Sequence, residues 1–260
     1  MKGTRLRPVI VVVLLSAFAV FGCKKTVHYN PVPVTGYFMP MQVGKFITYR
    51  LDSLTFYYFG QSDTVNSYLA KDSVESSYKD INGSTIWVIN RYLNDTSGAG
   101  FWNLTESYTV VTSISSVDVV ENNLRFRKLI FPIEDGLSWN GNTFLPDAPF
   151  QDLFPFNYEI NTKLQPPSWN YVYSNTYKPA TILNKTYDST VTIQQVDDSS
   201  RVPIVIDTLS ASRTFWSETY AKNIGLIYRQ TIMWEYQPAV NGNLGYKIGF
   251  GIKLSIVDHN

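Results

Sequence analysis

The stretch GYKIGFGIKLSIV, Gly245–Val257, decides the fold. Its even positions are Tyr246, Ile248, Phe250, Ile252, Leu254 and Ile256, and its odd positions are Gly, Lys, Gly, Gly, Lys, Ser and Val. Alternation with a period of two over this length predicts a long strand with one face in a core and the other in water, as an antiparallel sheet allows. Gly249 and Gly251 fall on the wet face, where they suit sharp coiling.

The same rhythm extends upstream. Ile224–Tyr236 alternates, with Leu226, Tyr228, Ile232, Trp234 and Tyr236 on one face, and Asn241-Gly242 supplies a tight hairpin between the two runs. Asn82-Gly83, Asn122-Asn123 and Asp197-Asp198-Ser199-Ser200 read as further turns. A short helical turn is expected near Ser217–Asn223, and no sustained helical period follows the amino-terminal region. Residues 37–260 thus read as an all-β single domain of about ten long antiparallel strands with few helices. Long strands twist and curl, so the expectation is a curved sheet forming a barrel or half-barrel, or two packed sheets.

Two segments punctuate the pattern. Phe38–Tyr49 and Ile130–Gly141 share Pro, an apolar residue, two residues, Gly, two residues and then Ile47 or Trp139, as if each opened one half of the domain. Residues 145–170 carry five of the 13 prolines together with Phe150, Leu153, Phe154 and Phe156. So long an apolar loop is expected to fold over a barrel mouth or a sheet face.

The amino-terminal region gives an address. Lys2, Arg5 and Arg7 precede a 14-residue run, Pro8–Phe21, broken only by Ser16. That is a secretory signal layout, too short for a spanning helix of about 20 residues. The run ends at VFGC, Val20–Cys23, which contains the one cysteine of the chain. VFGC resembles the lipobox of bacterial lipoproteins. The resemblance implies cleavage after Gly22 and a diacylglycerol on Cys23, which would anchor residues 23–260 to a membrane. Residues 23–36, with Pro31 and Pro33, read as an extended tether reaching at most about 40 Å.

Composition excludes more than it assigns. Loss of residues 1–22 leaves 19 basic against 21 acidic residues, so nothing points to nucleic acid. Of the two histidines, His28 lies in the tether and His259 is second from the end, so serine and cysteine triads lack a base and histidine-rich metal sites are not expected. SSYK (Ser76–Lys79) and GLSWN (Gly136–Asn140) match catalytic motifs only in part. No catalytic residue, metal or cofactor is assigned. What remains for an enzyme is a pair of carboxylates, drawn from Glu134-Asp135, Asp197-Asp198, Glu106, Glu159, Glu218 and Glu235, in the manner of a glycoside hydrolase. The 39 aromatic residues serve either as sheet core and rim or as platforms for sugars and lipids.

Asp followed by Ser or Thr and an apolar residue or Thr recurs at residues 52–54, 63–65, 72–74, 188–190 and 207–209. These triplets resemble O-glycosylation sites of secreted Bacteroidota proteins, which would put glycans on Ser53, Thr64, Ser73, Ser189 and Thr208. Asp-Ser and Asp-Thr also open turns and alternate well in strands. YFMPMQVGKFITYRLDS, FPIEDGLSWNGN and ETYAKNIGLIYRQ together resemble the envelope lipoproteins of the Bacteroidota. That resemblance implies a protein lipid-anchored to the outer membrane, on its periplasmic or surface face, and transfers no activity. The function expected is non-catalytic: binding of a small apolar or glycan ligand, or service as an accessory subunit to an envelope protein partner. The alternative is the carboxylate-dependent hydrolase.

Overall fold

Among the described residues, twelve strands form an up-and-down meander in which strands consecutive in sequence lie side by side and the first also pairs with the last. The structure, a computed structural model, describes residues 35–146, 149–150, 169–240 and 242–260. A single turn of helix, α1 (Thr35–Phe38), leads into β1 (Phe46–Tyr57), β2 (Ser62–Lys79), β3 (Thr85–Asn94), β4 (Asn103–Thr112), β5 (Ser116–Glu121) and β6 (Leu124–Ile130). The second half comprises β7 (Ser138–Trp139), β8 (Tyr171–Ile182), β9 (Lys185–Ser200), β10 (Ala211–Ala221), β11 (Gly225–Gln237) and β12 (Tyr246–His259).

The sheet order is β6-β5-β4-β3-β2-β1-β12-β11-β10-β9-β8-β7, antiparallel throughout. Its two edges, β6 and β7, are consecutive in sequence, and they meet. The Arg127 N–H donates to the Gly141 carbonyl at 2.8 Å, and the Trp139 indole donates to the Arg127 carbonyl at 2.9 Å. Further along β6, the Tyr173 hydroxyl donates to the Ile130 carbonyl at 2.8 Å and accepts from the Ile130 N–H at 2.9 Å. A side chain there stands in for a missing ladder rung. The fold is therefore a nearly closed barrel, and closure removes the exposed edges that long strands would otherwise present.

The Pro-to-Gly pattern seen twice in the sequence corresponds to one geometry used twice. Gly44 and Gly136 have φ of +85° and +81°. In each case the N–H of the next residue bonds back across the turn, Lys45 to Gln42 and Leu137 to Glu134. In each case the glycine N–H donates to the adjacent strand, Gly44 to Val74 and Gly136 to Tyr173, and that strand donates back to Lys45 or Leu137. The two turns open the two six-stranded halves.

Three expectations are corrected. Asp197–Ser200 is not a turn: it completes β9, with Asp197 opposite Phe215 and ion-paired to Arg213, and the loop follows at residues 201–210. Ser217–Ala221 is strand rather than helix, because β9 and β11 both hydrogen-bond to it. Finally, Tyr228, Ile232, Trp234 and Tyr236 share a face, but it is the outer one. Tyr220 pairs with Leu226 and Thr219 with Tyr228, so Ile227 is an extra, bulged residue and the parity of β11 reverses after it. Arg229, Thr231 and Met233 thus point inward.

The interior has two apolar clusters. The lower one gathers Tyr49, Ile89, Leu129, Ile193, Ile227 and Leu254 beneath Phe38 of α1, which is fully buried. The upper one gathers Phe126, Leu145, Phe150, Trp169, Trp216 and Met233. Phe150 and Trp169 meet Trp216 edge-on at 5.7 and 5.9 Å. Both described ends of the 145–170 loop therefore pack inside the upper end of the barrel, and its remaining residues lie outside the described residues.

Candidate functional site

Between the clusters lies a layer of ionised side chains. Arg91 on β3 grips Asp72 on β2 with two bonds, of 2.7 and 2.9 Å, and Tyr108 donates to the same carboxylate at 2.9 Å. The Arg91 Nη1 also reaches Glu106 on β4 at 3.1 Å and Glu121 on β5 at 2.9 Å. The opposite wall contributes Glu218 on β10 and Arg229 on β11, 2.8 Å apart. Two contacts cross the interior: Arg229 to Glu121 at 3.2 Å and Lys128 on β6 to Glu218 at 2.8 Å. Tyr220 completes the set with a 2.8 Å bond to Glu218.

Bulges aim several of these groups. Thr105 is the extra residue beside Glu106, Lys128 is itself the extra residue between the partners of Val117 and Asp118, and Ile227 lies two residues before Arg229. Simple alternation hides such positions, which is why the sequence alone does not single out Arg91, Glu121, Lys128 and Arg229. The one local signal is a charge within two residues of a pair of successive apolar residues, as in Lys128-Leu129-Ile130 and Leu226-Ile227-Tyr228-Arg229.

The electrostatics separate the carboxyls. Burial alone would raise Glu121, but Arg229 and Arg91 outweigh it and hold the group at about 2. Burial also opposes ionisation of Glu218, and Lys128 with Arg229 overcomes it. At Glu106 the balance reverses: burial first and the charge of Glu121 second lift the carboxyl above its ordinary value, against the pull of Arg91. Burial lowers Lys128, with Glu218 opposing.

Above this layer is a cavity of about 650 Å³. Its floor is Arg91, Glu106, Glu121, Lys128, Glu218 and Arg229, and its walls include Leu51, Leu93, Phe126, Phe150, Trp216 and Phe250. Two polar atoms in its lining are buried without a partner, the Glu106 Oε1 and the Trp216 Nε1. Below the layer, beside Met39, Tyr49, Ile89 and Leu226, is a void of about 50 Å³.

Of the carboxylates considered from sequence, the structure brings Glu106 and Glu218 to this floor and adds Glu121. Glu235 is buried elsewhere, bonded to Gln237, Asp197 is paired outside the cavity, and Glu159 lies outside the described residues. Thr208 is exposed in the 201–210 loop, while Thr64, Ser73 and Ser189 lie in strands and are each partly covered. Ser53 shares the inward face of β1 with Tyr49 and Leu51, so a glycan there would have to fill the interior. Gly22 and Cys23 lie outside the described residues, as do residues 23–34 of the tether.

No protein-family model matches the chain, and no curated protein matches it in sequence. Among solved structures, a "putative lipoprotein" from Parabacteroides distasonis is similar with a TM-score of 0.36 and 8% identity, over 85% of this chain and 98% of that one. A likeness of that degree bears on neither the site nor its use.

Proposed function

We propose that this is a lipid-anchored protein of the cell envelope whose barrel takes up a small, partly apolar molecule without transforming it. The observation that carries the reading is the cavity itself. A fold of this size closes its core tightly, with few voids larger than water. Here a partly open pocket of about 650 Å³ joins apolar walls to a fixed polar floor and leaves two buried polar atoms, the Glu106 Oε1 and the Trp216 Nε1, unsatisfied. That combination is the usual form of a small-molecule site. The anchor is supported by the VFGC motif, with the acyl groups on Cys23 and the tether leading to α1.

A hydrolytic reading has one observation in its favour. Glu106 and Glu121 share Arg91 Nη1, so their carboxyls lie within about 6 Å, a spacing seen in retaining glycosidases. Their proton affinities are also driven apart, as an acid and a nucleophile require. Binding is the better reading because each oxygen of Glu121 is held by a guanidinium. A carboxylate at about 2 is a weak base and a poor nucleophile.

The test is native mass spectrometry of the protein purified from its own envelope. The expected result is a co-purifying small molecule released on unfolding, together with a diacylated amino-terminal cysteine. A ligand-free barrel from cells and from envelope extracts alike would contradict the uptake. A free thiol at Cys23 joined to Gly22 would contradict the anchor. Turnover of nitrophenyl glycosides, abolished in Glu121→Gln, would favour the hydrolase instead.

A further inference from the structure

The cavity floor is specific about the charge of what it can accept. The layer contains four carboxylates, Asp72, Glu106, Glu121 and Glu218, against three cations, Arg91, Lys128 and Arg229. Asp72 has a two-bond grip from Arg91, and Glu121 and Glu218 each touch two cations. Glu106 has only a share of Arg91, and its second oxygen is buried without a partner. Opposite in chemical sense is the Trp216 Nε1, a donor without an acceptor on a side chain only 5% exposed. Lys128 has three N–H groups, and among the described residues its ion pair is with Glu218.

Three kinds of head group can be weighed against these unmet bonds. A carboxylate offers acceptors alone, and it would bring a further negative charge to a floor already one carboxylate in excess. An ammonium offers donors alone, so it would leave the indole N–H unmet and add a cation to Lys128 and Arg229, which already share Glu218. A hydroxyl both donates and accepts: it can give its proton to the Glu106 oxygen and receive one from the Trp216 or Lys128 N–H. Leaving either buried group unmet costs enough to decide between head groups.

We infer that the cavity selects an amphipathic molecule with an uncharged, hydroxyl-bearing head, such as a long-chain alcohol or an alkyl glycoside, seated with its head on Glu106 and Trp216 and its stem along Leu51, Leu93 and Phe126. This rests on the uptake reading above and narrows it.

The experiment is equilibrium dialysis of the full chain in phosphatidylcholine vesicles, against protein-free vesicles, with three probes of equal stem: octyl glucoside, octanoate and octylammonium. The glucoside is expected to bind, with the two ions weaker by about tenfold or more, and Glu106→Leu and Trp216→Phe are each expected to weaken it by about tenfold. Equal or tighter binding of octanoate or octylammonium overturns the head-group assignment and leaves the uptake reading standing. Glucoside binding unchanged in Trp216→Phe overturns the placement, a result that does not depend on Glu106→Leu folding. Failure of all three probes to bind overturns the uptake reading as well.

Discussion

At the residue scale, Glu106 and Glu121 show how one arginine can serve two carboxyls unequally. Glu121 is bonded through both oxygens, to Arg91 and Arg229, whereas Glu106 is bonded through one. Breaking a buried pair by removing one partner leaves the other charge uncompensated. Glu121→Gln should therefore lower stability by about 3 kcal/mol, read from the urea midpoint at neutral pH. Glu106→Gln should leave it unchanged or raise it, since a carboxyl lifted by burial opposes folding when ionised. A loss as large as that of Glu121→Gln would contradict this division. The acid limb follows with a definite sign. Glu121 has a folded value, about 2, below its ordinary one, so its contribution is present above the ordinary carboxylate value of 4.5 and is lost as pH falls toward 2. Glu106 runs the other way: raised in the fold, it favours the folded state below its ordinary value and loses that contribution as pH climbs through the folded one. Stability of Glu121→Gln should fall less steeply between pH 4.5 and 2 than that of the parent chain.

At the scale of elements, alternation in β12 is legible in the sequence because Phe250, Ile252, Leu254 and Ile256 keep one parity from end to end. The same reading fails in β11, since strict alternation takes Leu226 and Ile227 as neighbours on opposite faces where the structure has a bulge. Deleting Ile227 leaves Leu226 opposite Tyr220 and Arg229 opposite Glu218, so it closes the bulge, keeps Arg229 inward and removes one fully buried side chain. The expected result is lower stability with unfolding still cooperative in circular dichroism, and a variant that fails to fold would contradict the bulge assignment. The β1–β2 hairpin carries a different cost. Tyr58 and Phe59 stand at φ of +49° and +57°, where aromatic side chains are disfavoured, and Phe59 is 96% exposed. The double change Tyr58→Asn with Phe59→Gly should stabilise the protein by about 1–2 kcal/mol, visible as a higher Tm. The seam is less tolerant. A Cβ on Gly141 would meet the Tyr171 ring at 2.2 Å, so Gly141→Ala should displace the carbonyl that binds Arg127 and open β6 from β7, seen as faster amide exchange at Arg127.

At the scale of the molecule, a meander of alternating runs separated by Asn-Gly, Asn-Asn and similar turns points from sequence alone to a curved antiparallel sheet, whether barrel, half-barrel or two packed sheets. Closure is also legible in part, through the paired Pro-to-Gly turns that open each half. The site is legible only in Glu106 and Glu218, two among several candidate acids, because its other residues are charged and read as solvated. Arg91, Glu121 and Arg229 each read locally as the solvated position of a strand, and only closing the sheet turns them on one another. Contacts that cross the interior, Arg229 to Glu121 and Lys128 to Glu218, join residues 108 and 90 positions apart. No window of sequence contains both partners. The layer they form divides a lower core with a void of only about 50 Å³ from an upper cavity of about 650 Å³, and that division is what makes the barrel a vessel rather than a solid body.

The most direct measurement of that division is a high-resolution electron-density map of the protein taken from its own host without added ligand. Connected non-protein density is expected above Arg91 and Arg229, within hydrogen-bonding distance of the Glu106 carboxyl and the Trp216 indole. A cavity packed instead with the chain's own side chains would contradict it.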